Sequence, residues 1–176
     1  NSSLISLVVG VAVLRTLRKF SKEILIKWPN DIFLRNQKIG GILCESTINP
    51  SGQFRIIIGV GLNLLPVKGT FVSNFPVGSL FVEKIHWSDI DTSDLANNVK
   101  CAVNQFLSLG FAETLRVFNL YNWWRDRAVN IFDETRNTFI IQGVVGDIDK
   151  SGSLTVHTKR GVFKLNESGH YLRVLA

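Results

Sequence analysis

Lys27-Trp28-Pro29-Asn30-Asp31, followed by Lys38-Ile39-Gly40-Gly41-Ile42-Leu43, is the stretch on which the reading of this chain turns. Pro29 fixes its own φ and pushes Trp28 into an extended conformation. The apolar strand Ile24-Leu25-Ile26 therefore ends at a defined point, with Lys27 and Asp31 at its exit. Asn30 and Asp31 suit a turn, because their side chains can bond nearby backbone, and Ile32-Phe33-Leu34 reads as a new strand. Arg35-Asn36-Gln37 turns the chain back. The return strand is predicted to begin at Lys38 and carries Gly40-Gly41, where the missing Cβ atoms let another molecule lie against the main chain. Taken singly, each of these residues is structural: a solvated Lys, a turn, a bend. Taken together, two cations, a carboxylate, an amide and two adjacent glycines suit a site for a charged, phosphorylated ligand.

Upstream, Leu4, Leu7, Val8, Val11, Leu14 and Leu17 recur at three and four positions and predict a helix over 4–20, with Ser2 or Ser3 as cap. Its almost wholly apolar first half calls for deep burial. Downstream, a hairpin over 31–46 precedes the turn Asn49-Pro50-Ser51-Gly52 and a strand over 54–60. The apolar run Phe54, Ile56, Ile57, Ile58 and Val60 predicts a central strand covered on both faces. Residues 64–90 read as loop, broken by Pro66, Gly69, Pro76 and Gly78, with a short element at 79–82. Asp91-Thr92-Ser93-Asp94 opens a second helix running to about Leu109, with Leu95, Val99, Ala102, Val103, Phe106 and Leu107 inward and Gly110 as its stop. A third helix is predicted over 111–125, carrying Leu115, Phe118, Tyr121 and Trp124.

From Arg127 the texture changes to short strands at 129–132, 138–145, 154–158, 162–165 and 171–174, with turns at Asp149-Lys150-Ser151-Gly152, Lys159-Arg160-Gly161 and Glu167-Ser168-Gly169. A flat sheet of this size would leave its edges bare, so a small, closed or nearly closed barrel is expected.

The composition, 45% hydrophobic and 19% charged, is that of a folded globular chain and excludes a disordered one. The net charge of +6 suits an anionic ligand or partner, but the cations are scattered and form no nucleic-acid arm. Cys44 and Cys101 lack metal-site spacing and are too few for a disulfide scaffold, which points to a reducing compartment with both thiols as small buried hydrophobes. Leu4 to Leu14 is an apolar run of about eleven residues, against about 20 needed to span a bilayer. Arg15, Arg18 and Lys19 follow it instead of preceding it, the wrong order for a signal peptide. The sequons at Asn1 and Asn166 are short enough to arise by chance.

The residues from Lys27 to Asp31 with Lys38 to Leu43 resemble the signature of biotin protein ligases, enzymes that make biotinyl-AMP and transfer biotin to a lysine of a carrier protein. The resemblance continues in order. Ile57-Ile58-Gly59-Val60-Gly61-Leu62-Asn63-Leu64 is similar to the family's strand ending in a glycine-rich turn and asparagine. Pro76-Val77-Gly78-Ser79-Leu80 is similar to its following loop, and the run from Gly143 to Leu154 to the start of its C-terminal barrel. The family's arginine- and glycine-rich loop over biotin lies upstream of the opening helix, and no Gly-Arg-Gly-Arg run occurs here; the chain is therefore expected to be a C-terminal portion of a longer polypeptide.

The resemblance implies an α+β fold: a mixed sheet packed with helices, the class II synthetase-like catalytic domain incomplete at its N-terminus, over 1–126, followed by an SH3-like β-barrel over 127–176. It implies ATP and biotin as substrates with Mg²⁺, and the biotin carrier domain of a carboxylase as partner. It implies a cytoplasmic setting, no membrane, DNA only through a domain preceding Asn1, and homodimer pairing as an open question. Lys38, Asp31 and Lys27 are its catalytic residues. Lys38, Gly41, Ile42 and Leu43 face biotin; Lys27, Asn30, Asn63 and Arg173 face the nucleotide. Making an acyl-adenylate brings two anions together, so cations must neutralise the developing charge, the work assigned to Lys27 and Lys38. Asp31 suits either of two jobs, holding Mg²⁺ or orienting the incoming lysine amine. Asn63 suits a turn cap equally, and Arg173 a barrel-strand Arg with a solvated head. A lipoate- or octanoate-transferring relative and a non-catalytic regulatory paralogue are the alternatives.

Overall fold

The computed structural model describes residues 2–66, 75–166 and 170–175. Gly69 and the turn at 167–169 lie outside them. Its elements are α1 (Ser2–Leu17), β1 (Ile24–Lys27), β2 (Asp31–Leu34), β3 (Gln37–Ile48), β4 (Phe54–Leu62), α2 (Thr92–Leu109), α3 (Ala112–Leu120), β5 (Ala128–Asp133), β6 (Thr138–Ile148), β7 (Leu154–Thr158), β8 (Gly161–Leu165) and β9 (His170–Val174). Two antiparallel sheets result, ordered β1-β2-β3-β4 and β8-β7-β6-β5-β9. The expected mixed sheet is thus corrected to antiparallel ones, parallel pairing among the described residues being confined to the isolated bridges Ile26 to Asn122 and Lys38 to Val77.

α1 is apolar all round, and a helix of that kind must be covered all round. It packs on β1, β2 and β3 and between α2 and α3, burying Ile5, Leu7, Val9, Val13, Leu14 and Leu17. Gly10 leaves room for the sheet: a Cβ there would sit 3.5 Å from the Ile42 side chain. α2 is capped by Asp91, whose carboxylate accepts from the Ser93 and Asp94 amides, and it lies outside the core with no fully buried residue. Leu107, expected inward, is exposed, as is Cys101. The stripe that does touch the core is Leu95, Val99, Val103 and Phe106. α3 stops at Leu120 and not at Arg125, because Ile26 and Tyr121–Trp123 exchange backbone bonds beside β1.

β4 departs most from expectation. It is the edge strand of its sheet, and its side chains alternate between half-buried and exposed, with Ile57 60% exposed. A run of isoleucines reads as a doubly covered strand only where a layer lies on each face; here Ile56, Ile58 and Val60 pack against the core on one face and the described residues leave the other bare.

The second sheet is stitched to the first. Trp28 donates its indole N–H to the Gly152 carbonyl at 2.9 Å, Trp124 donates to the Trp28 carbonyl, and the Asn119 side chain bonds both backbone groups of Ile148. One apolar cluster runs through both sheets. Among the described residues no helix is long and apolar enough to cross a membrane.

Candidate active site

The hairpin that carries the site is closed by Arg35 and Asn36, both at positive φ (49° and 64°), a two-residue turn of the kind whose twist matches its strands. Asn36 is held there by N–H donors from Trp123 and Arg127. Along β2 and β3 the register runs Leu34 to Gln37 and Phe33 to Lys38, then shifts so that Ile32 meets Gly40 and Asp31 meets Gly41. Ile39 is the extra residue of this bulge. In an unshifted ladder Phe33 would face Ile39, and Lys38 would point to the α1 side; the bulge brings Lys38 to the face that carries Asp31.

On that face the two lysines converge. Asp31 accepts from Lys27 at 2.9 Å through Oδ2 and from Lys38 at 2.5 Å through Oδ1. Lys27 and Asp31 are buried, while the Lys38 side chain is 39% exposed. The Lys27 ammonium lies 4.7 Å from the Phe75 ring centroid and 5.6 Å from those of Phe33 and Trp124. Burial pushes its pKa below the usual lysine range, an effect that the charge and hydrogen bond of Asp31 oppose and the neighbouring Lys38 reinforces.

Beside Lys38 the backbone is uncovered. Gly41 pairs with Gly61 and Leu43 with Gly59, so three glycines lie on one face, with exposed Leu43 and Ile57 beyond them. A Cβ at Gly41 would lie 3.7 Å from the Lys38 ammonium and the Asp31 carboxylate. Gly40 faces the other way, where a Cβ would be 2.5 Å from the Gly61 carbonyl; its role is close strand packing. The expected glycine-rich turn at Gly59-Val60-Gly61 is instead paired strand, because each residue keeps its partner on β3.

The remaining predicted residues hold the scaffold. Asn30 makes no local turn bond; its amide donates to the Ile42 carbonyl across the sheet at 2.8 Å. Asn63 donates to the Gly78 carbonyl at 3.0 Å, and its backbone bonds Ile39 and Leu80, so it ties the end of β4 to the segment after Phe75. That segment in turn brackets Lys38, through Lys38 N–H to Pro76 and Gly78 N–H to Lys38. Ile42 is buried toward α1, and Leu43 alone of the pair faces the glycine floor. Arg173 lies on β9, its guanidinium 4.7 Å from the Phe132 ring and 5.3 Å from that of Tyr171. No group of three or more His, Cys, Asp or Glu able to hold a metal occurs among the described residues.

Sequence reasoning missed Phe75 and Trp124 as neighbours of Lys27. No local pattern announces them, since they come from a loop and from the turn after α3. The outward glycines were readable: Gly59 and Gly61 sit at strand period opposite Gly41. A basic concavity lies elsewhere, a groove lined by Arg15, Arg18, Lys19, Lys22, Arg116 and Tyr121. Four of its charges are engaged locally, Arg15 and Arg116 with Glu113, Lys19 with Asp94 and Arg18 over the Tyr121 ring.

Residues 1–63 match the Biotin/lipoate A/B protein ligase family. The chain is 27% identical over 165 residues to the bifunctional ligase/repressor BirA of Escherichia coli K12, covering 91% of this chain and 50% of that protein. It is 43% identical over 68 residues to biotin--protein ligase 2 of Arabidopsis thaliana, covering 35% of this chain and 20% of the relative. The fold matches the biotin protein ligase of Aquifex aeolicus with TM-score 0.81 at 20% identity, over 99% of this chain and 76% of that one. A structure of the same Aquifex ligase in complex with biotin and ATP also matches with TM-score 0.81. The chain spans about half the length of the BirA relatives that it matches over most of its own length. Residues 1–63 are thus similar to the biotin/lipoate A/B protein ligase family, and the chain as a whole carries the fold of solved biotin protein ligases.

Proposed function

We propose that this chain serves a biotin protein ligase, which activates biotin with ATP to biotinyl-5′-AMP and transfers biotin to a lysine of a carrier domain. The observation that carries the reading is the pair of lysines meeting on Asp31 beside the floor of Gly41, Gly59 and Gly61. The named ligands of the Aquifex ligase, biotin and ATP, support it.

In the first step an oxygen of the biotin carboxylate attacks the α-phosphorus of ATP, and the bond to the bridging oxygen of pyrophosphate breaks. Lys38, partly exposed at the edge of the floor, turns from Asp31 to the carboxylate and phosphate oxygens and offsets the charge that gathers there. Biotin rests on the backbone at Gly41, with Leu43 as apolar wall. In the second step the carrier lysine amine attacks the mixed-anhydride carbonyl and AMP leaves. Asp31 orients that amine. Of its two expected jobs this is the one its surroundings favour: both oxygens already face ammonium groups, a poor start for a Mg²⁺ site, and no step is routed through a metal at Asp31. Asn30, Asn63 and Arg173 serve the nucleotide, the first two through the backbone they fix.

Residues 127–176 form the proposed second domain, an SH3-like barrel. The contact of the Phe163 and His170 rings, 5.5 Å between centroids, brings its two outer strands together. A carboxylase carrier domain and a reducing, cytoplasmic setting complete the reading.

The test is biotin-dependent exchange of pyrophosphate into ATP, with any residues preceding Asn1 retained. Lys38→Ala is expected to lower exchange by about 10²–10³-fold; near-normal exchange would remove Lys38 from the chemistry. Stabilisation by lipoate and not by biotin in a thermal-shift comparison would favour the lipoate branch of the same family.

A further inference from the structure

Lys27 and Asp31 are the buried charged side chains among the described residues, and the two chemical steps leave Lys27 without a task. Its surroundings supply one. The ammonium has three donor hydrogens. One goes to Asp31 Oδ2, and around the nitrogen stand the rings of Phe33, Phe75 and Trp124 at cation-π distance. Those rings are packed on one another, Phe75 lying 5.4 Å from Phe33 and 5.9 Å from Trp124, and they leave the Lys27 side chain only 10% exposed to an approaching polyphosphate.

We infer that Lys27 is a positioning residue that does not touch the ligands: its caged ammonium fixes one oxygen of Asp31, and Asp31 through the other sets Lys38 beside Gly41. The inference deepens the ligase reading and rests on it. The cage has a second anchor. Trp124 donates to the Trp28 carbonyl while Trp28 donates to the Gly152 carbonyl, so packing of the second sheet holds one wall of the Lys27 cage. Lys27 is thereby the point where that packing reaches Asp31.

A residue that works through another leaves a kinetic signature distinct from that of a phosphate contact. In pyrophosphate exchange, with residues preceding Asn1 retained, Lys27→Met is expected to lower kcat about tenfold or more while KM for ATP stays within about twofold. ATP binding measured by calorimetry should be equally unmoved. In an Asp31→Asn background, Lys27→Met should add less than about twofold, because the route it acts through is already cut. A rise of about tenfold in KM for ATP with kcat kept, or full multiplication of the two effects, overturns the inference. Should Lys27→Met alone not fold, comparing Asp31→Asn with the double variant, in which both buried charges are neutral, separates the same two outcomes. Absence of exchange in the unsubstituted protein overturns the ligase reading itself and the inference with it, a result unlike any shift between KM and kcat.

Discussion

The face of the first sheet turned away from α1 has two halves that share one register and behave oppositely. Over β1 and β2 its outward residues are Leu25, Lys27 and Phe33, and Phe75, Trp123 and Trp124 close over them. Over β3 and β4 they are Gly41, Gly59 and Gly61 with exposed Leu43 and Ile57. Asp31 sits on the border, with a lysine on each side. Chemically identical ammonium groups therefore face different solvents: one is walled by rings and has structure to hold, the other borders open backbone and is available to a ligand. What decides the job is the cover, not the residue type.

Opening the closed half should produce the largest effect. Phe33 is fully buried between Phe75 and Trp123, so Phe33→Ala is expected to cost about 3–5 kcal/mol of stability in denaturant unfolding, through lost burial and the cavity left behind. A loss below about 1 kcal/mol would mean that the rings form a loose cover and no core, and the contrast between the halves would fail.

On the open half, adjacent glycines should separate stability from binding. A Cβ at Gly40 would meet the Gly61 carbonyl at 2.5 Å and Leu62 at 2.9 Å, and a backbone carbonyl held in the ladder cannot step aside cheaply. Gly40→Ala is expected to lose about 1–3 kcal/mol in thermal unfolding. At Gly41 the nearest atoms would be 3.7 Å away, ordinary contact, so Gly41→Ala should change stability by less than about 1 kcal/mol. Its methyl would stand on the floor beside Lys38, and biotin affinity measured by titration should fall about tenfold. Equal effects of the two substitutions on both readouts would show that the floor is not a binding surface.

Much of this is legible in the sequence because it is local. Periodicity places α1, β1, the hairpin and the short strands of the second sheet, and Asp91 and Gly110 mark the ends of α2 as their chemistry requires. Lys27, Asp31, Lys38 and Gly41 stand out by their spacing, and they meet. What is not legible depends on tertiary neighbours. The bulge at Ile39, which decides the face of Lys38, leaves no mark in composition. The isoleucines of β4 look like those of a central strand, because covering layers are not written in the strand itself. Asn30 and Asn63 look like turn residues until the strands they brace are in place.

The smallest expected effect lies at the seam between the sheets and serves as a control on the two halves. The turn Asp149-Lys150-Ser151-Gly152 offers the Gly152 carbonyl to Trp28 and is organised by the Asp149 carboxylate. Partial burial alone would raise that carboxyl, but hydrogen bonds from Lys164, from Ser151 through side chain and backbone, and from Ser153 outweigh it and hold its pKa at about 2, against an ordinary 3.8. A carboxyl held low in the folded state contributes stability that is present above its unfolded pKa and is lost as pH falls from about 4 toward 2. The carboxylate is only partly shielded from solvent, so the full shift of about 2.5 kcal/mol should be discounted to about 1 kcal/mol. Asp149→Asn should accordingly be about 1 kcal/mol less stable than the unsubstituted chain at pH 5, with the gap closing toward pH 2, as measured by denaturant unfolding across that range. A gap that stayed constant with pH would assign the loss to packing of the turn and not to the charge that orders it. Because the glycine floor contains no part of this turn, Gly41→Ala should show the same pH dependence as the unsubstituted chain, whereas removing the Lys164 ammonium or the Ser151 hydroxyl should flatten it.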